Sequence, residues 1–74
     1  MVKHRISIID YAERGSSLYI QLDIFDAQTE KRFQEEVRFL DELLYGELVH
    51  PQKSPLSESC RTAVIAYLKN HFNR

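Results

Sequence analysis

With 74 residues, 43% of them apolar, a formal net charge of −1 and a single cysteine, the chain is large enough for one small core and too apolar for a disordered polyelectrolyte. Lone Cys60 excludes an internal disulfide and points to a reducing, cytoplasmic setting; no apolar run reaches the roughly 18 residues of a membrane span or the roughly 7–15 of a signal-peptide core. One domain over residues 1–74 is expected, of modest stability unless a second chain enlarges its core.

In chain order, residues 4–11 ("HRISIIDY") and 17–25 ("SLYIQLDIF") alternate with period two and are rich in isoleucine, leucine and tyrosine, as half-buried strands are. The intervening "AERGS" holds Gly15, which reaches positive φ cheaply, so a hairpin turn is expected there. Pairing Ile8 with Ile20 and Ile6 with Leu22 gathers those four with Leu18 and Ile24 on one apolar face and sets Arg5 opposite Asp23 on the other. That other face also carries Ile9, Tyr11, Tyr19 and Phe25. Four such residues seldom face water, so this surface calls for cover by more of the chain, by a second copy across a two-fold, or by a foreign partner.

The segment 26–46, "DAQTEKRFQEEVRFLDELLYG", has two readings. As a helix, Phe33, Val37, Leu40 and Leu44 recur at four, three and four residues, with Asp26 placed to cap the start and Gly46 just past the end. As a third antiparallel strand, Phe33, Val37 and Phe39 alternate, but Glu35 falls on the apolar side and "AQTEK" holds no glycine or proline to turn the chain. The helix fits the spacing better, although Arg32 before Glu36 and Arg38 before Glu42 is the weaker orientation for helical ion pairs. Residues 47–54 read as a connection through Pro51. Ser54 as cap and Pro55 at the first position then predict a C-terminal helix with Leu56, Cys60, Val64, Tyr67, Leu68 and His71 along one side. The expected fold is α+β: an N-terminal antiparallel hairpin, extended to three strands under the second reading, a central amphipathic helix under the first, and a C-terminal helix packed on the sheet.

Charge is uneven: residues 1–22 carry +1, residues 23–47 carry −5 and residues 48–74 carry +3. The acidic middle, Glu35, Glu36, Asp41, Glu42 and Glu47, offers a surface that could steer a basic partner. His4, His50, Cys60 and His71 contain no closely spaced ligand pair of the kind structural zinc sites use. Glycine-rich phosphate loops, nucleophile elbows and zinc-hydrolase motifs are absent from the sequence, and no catalytic residue, metal or cofactor is expected. These features describe a small cytosolic protein-binding module, a regulator, adaptor or inhibitor, contacting its partner through Ile9, Tyr11, Tyr19 and Phe25. The alternative is a nucleic-acid-binding regulator using Lys53, Arg61, Lys69 and Arg74, with the hairpin aromatics stacking on bases; the slight net negative charge weighs against it.

Overall fold

The computed structural model describes residues 3–74. It is an α+β unit: a four-stranded antiparallel sheet in the order β1 (Arg5–Arg14), β2 (Ser17–Asp26), β3 (Lys31–Leu40), β4 (Leu43–Tyr45), followed by a 3-10 turn (Glu47–Val49) and the helix α1 (Glu58–His71). Among the described residues, no helix is long and apolar enough to cross a membrane.

The central segment is a strand and a β-turn-linked fourth strand, not a helix. What turns the chain without glycine is the side chain of Asp26, whose Oδ1 accepts the N–H groups of Gln28 (3.0 Å) and Thr29 (3.4 Å), while Glu30 takes the left-handed conformation at φ 59° and donates its N–H to Asp26 O. Asp26 therefore caps a turn where the helical reading has it capping a helix. In β3, Phe33, Val37 and Phe39 point to the core side, and Glu35, on the same side, stays in solvent. Another tight turn, with Asp41 at φ 54°, returns the chain into β4.

The hairpin forms around Gly15 (φ 62°), but in a different register from the expected one. Ile8 pairs with Leu22 and Ile6 with Ile24, so Arg5 lies opposite Phe25 and Ser7 opposite Asp23. A bulge follows Ile8: Ile9 is the extra residue, and from Asp10 onward the alternation of β1 is inverted. The apolar set expected for the inner face is correct, since Leu18, Ile20, Leu22 and Ile24 are fully buried and Ile6 and Ile8 pack against them.

One layer covers this inner face. Cys60, Val64 and Leu68, at helical spacing on α1, are buried against the sheet together with Leu48, Val49 and Leu56. The helix starts later than expected: Ser57, not Ser54, is the N-cap and accepts the N–H of Cys60, whereas Ser54 closes the preceding loop by donating to Leu48 O. Tyr67 and His71, expected on the buried side, are exposed and stack on one another. At the C-terminal end Phe72 meets Phe39 and Tyr11 edge to face, so α1 runs from the Asp26 end of the sheet to its opposite end.

Gly46, at φ 146°, is a close approach: a Cβ there would lie 2.9 Å from Val37 Cγ1. Gly46→Ala is expected to destabilise the fold by about 1–3 kcal/mol, and Glu30→Gly, which relieves a left-handed glutamate, to stabilise it by about 1 kcal/mol; urea unfolding midpoints check both.

Candidate functional site

Two arrangements of polar and aromatic groups stand out, one under the N-terminus of α1 and one on the bare side of the sheet. The first centres on Asp26, whose side chain is 0% exposed. Besides the turn N–H groups, its carboxylate accepts the backbone N–H of Ser57 at 2.6 Å and the Ser57 hydroxyl at 2.9 Å. Burial pushes this carboxyl up, but the Ser57, Gln28 and Thr29 hydrogen bonds outweigh it and hold its pKa below the ordinary value.

His4 lies beside it, with Nδ1 3.5 Å from Asp26 Oδ1 and Nε2 3.0 Å from Ser59 Oγ. The outline is that of a serine, histidine and carboxylate series, but the hydrogen bonds run the other way. Nδ1 accepts the Ala27 N–H at 3.1 Å, so the ring proton resides on Nε2 and is donated to Ser59, which in turn donates to Gln28 Oε1 at 2.7 Å. A ring that donates to the hydroxyl cannot take its proton, and Ser59 is left unactivated.

Cys60 completes the cluster. Its Sγ, a carboxylate oxygen of Asp26 and a ring nitrogen of His4 lie within 4.8 Å of one another, a proximity across 56 residues of sequence that residue spacing does not reveal. These groups do not suit a metal ion. Desolvation, with the Asp26 charge adding to it, pushes the Cys60 thiol up to about 11, while Asp26 and His4 already spend their ligand atoms on the backbone and on serine. The cluster is a satisfied polar joint between the β2–β3 turn, the residue preceding β1 and the cap of α1.

The second arrangement is the outer face. Its rows follow from the register: Arg5, Phe25 and Arg32 at one end; Ser7, Asp23 and Gln34; then Ile9 and Asp10 beside Gln21 and Glu36; then Ala12, Tyr19, Arg38 and Tyr45; and Arg14, Ser17, Leu40 and Leu43 at the other end. Among the described residues, no element packs on this side. Of the four contact residues read from the sequence, Ile9 is 57% exposed at the bulge, Phe25 is exposed at the end row, and Tyr19 is half-buried in the row with Arg38. Tyr11 is not among them: the bulge rotates it to the helix side, against Phe72. Tyr45 and Arg38 join the face unforeseen, with the Arg38 guanidinium 6.0 Å from the Tyr19 ring and 5.7 Å from that of Tyr45. The alternation of Arg32, Gln34, Glu36 and Arg38 in the sequence is the signal that marks them, once 31–40 is read as a strand.

At the Phe25 end lies an open depression of about 580 Å³ lined by Lys3, Arg5, Ser7, Asp23, Phe25 and Arg32. Arg32 clamps Asp23 with two hydrogen bonds, which hold the Asp23 carboxyl below its usual range. The acidic middle does not form one surface, because the strand sends Glu35 and Glu36 to opposite sides of the sheet. The four helix-region cations are also dispersed: Arg74 donates to Asp41 O at 2.6 Å and lies over the Phe39 ring, Lys53 sits in the loop before α1, and Arg61 and Lys69 lie two helical turns apart.

Two outcomes follow for the buried joint. A folded-state pKa below the unfolded one means that Asp26 stabilises fully above about pH 3.9 and loses that contribution as pH falls through its lower folded value. Asp26→Asn, which sets an amide NH₂ against donors, should cost about 1–3 kcal/mol near neutral pH and flatten the acid limb of thermal stability against pH. Cys60 should resist iodoacetamide near neutral pH in the folded protein and react only as denaturant unfolds it. No family model matches the chain, and neither a curated protein nor a solved structure matches it.

Proposed function

We propose that the chain is a small cytosolic protein-binding module without catalysis, a regulator, adaptor or inhibitor that engages its partner through the outer face of its sheet. The observation that carries this reading is the one-sided packing: the helix covers one face, and the other presents Ile9, Tyr19, Phe25 and Tyr45 with no cover from the described residues. Antiparallel sheets can hold one face in water, but that face is then polar along its length. Aromatic residues at Phe25 and Tyr45 instead offer area that is removed from water at small entropic cost. The wiring of His4 and Ser59 supports the absence of acyl-transfer chemistry. The nucleic-acid reading through Lys53, Arg61, Lys69 and Arg74 has less behind it, because Arg74 is engaged within the fold and the other three do not converge.

Affinity capture from host lysate with nuclease present, comparing the wild type with Phe25→Ser/Tyr45→Ser and with Arg61→Glu/Lys69→Glu, tests the reading. A protein retained by wild type and by the helix variant, and lost from the sheet variant with its circular dichroism unchanged, is the expected result. Loss in the helix variant alone, or recovery only without nuclease, contradicts it.

A further inference from the structure

Resting on that reading, we infer that the partner is an acidic protein segment, and that the end of the outer face formed by Lys3, Arg5, Phe25 and Arg32 is where its carboxylates and an apolar side chain dock. The row Arg5, Phe25, Arg32 places an exposed ring between two guanidiniums, with Lys3 at the rim of the same depression. Asp23 is the one acid in it, and it is already clamped by Arg32. Lys3 and Arg5 form no ion pair with any described residue. The depression thus has two cations without acidic partners, Lys3 and Arg5, beside one exposed ring, Phe25, which complements a carboxylate beside an aromatic or aliphatic side chain.

A second copy of the chain is a poor occupant. A face-to-face two-fold along the strands lays the Arg5, Phe25, Arg32 row on itself; one across the strands lays it on the row of Arg14, Ser17, Leu40 and Leu43. Both arrangements set the middle row, with Asp10 and Glu36, on its own kind, and both lay Arg5 on a row that carries a further arginine, its own row in the first and that of Arg14 in the second. Extension through the β1 edge fares no better, since the bulge at Ile9 interrupts that edge.

A nucleic-acid strand also fits less well than a protein. Phe25 and Tyr19 stand six residues apart on β2, about 20 Å at roughly 3.4 Å per residue, and a strand carrying a charge about every 3.4 Å would pass several phosphates over the band of Asp10, Asp23 and Glu36. A protein segment can confine its carboxylates to the cationic end.

Isotope-labelled full-length chain, titrated with a short peptide alternating glutamate and tyrosine, with its lysine-for-glutamate counterpart and with oligo-thymidine, separates these occupants. The acidic peptide should bind about tenfold or more tightly than either of the others, shift the amides of Arg5, Ser7, Phe25 and Arg32, and weaken about tenfold or more in Lys3→Glu/Arg5→Glu but not in Arg61→Glu. Tighter binding of the lysine peptide overturns the inference, tighter binding of thymidine transfers the site to nucleic acid, and shifts confined to α1 overturn the location. If a captured partner is lost with Phe25→Ser/Tyr45→Ser yet unaffected by Lys3→Glu/Arg5→Glu, the protein-binding reading stands and the acidic-segment inference falls.

Discussion

The buried carboxylate of Asp26 holds the two halves of the molecule together. It ends β2, shapes the turn into β3 and accepts both the N–H and the hydroxyl of the residue that caps α1. A fully buried charge is costly unless its lone pairs are filled, and here four donors fill them, so the turn and the helix start are correct only together. The positive end of the helix dipole, one residue beyond the carboxylate's contact with Ser57, favours the same arrangement. His4, reached through Ala27 and Ser59, fastens the start of β1 to the same point.

Anchoring at that point decides which side of the sheet is covered. From Ser57 the helix can only run back over the inner face, where Cys60, Val64 and Leu68 meet Ile20, Leu22, Ile24 and Phe39. One helix is enough for one side of a four-stranded sheet. Among the described residues, the rest of the chain forms the loop and the 3-10 turn that close the core with Leu48, Val49 and Leu56, and none of them reaches the outer rows. Small size, in this fold, is the reason the described residues leave the outer aromatic side chains uncovered.

Much of this was legible in the sequence. The hairpin, its turn at Gly15, the inner apolar set of β2 and the Cys60, Val64 and Leu68 part of the α1 stripe follow from periodicity, whereas Tyr67 and His71, assigned to the same stripe, lie in solvent. The register was not: apolar side chains at every second position fit equally well when slid by two, and the bulge at Ile9 has no sequence mark. That bulge is why Tyr11 lies on the helix side. The segment 31–40 misled because Phe33, Val37, Leu40 and Leu44 match a helix as well as a strand–turn–strand, and because the device that turns the chain, the Asp26 side chain with a left-handed Glu30, does without glycine. Losing β3 and β4 to a helix hid Arg38 and Tyr45 and turned five dispersed acids into an imagined surface. The cluster of His4, Asp26 and Cys60 joins residues far apart in sequence, and no local spacing announces it.

One-sided packing is the claim on which the functional account stands, and side-chain accessibility in dilute solution tests it most directly. With a soluble paramagnetic agent added to the monomer, the ring and methyl signals of Ile9, Phe25 and Tyr45 should broaden strongly while those of Ile20, Leu22, Ile24 and Phe39 remain sharp. Protection of Phe25 and Tyr45 at concentrations too low for association would mean that the chain covers its own outer face, and the account of that face as a partner surface would be wrong.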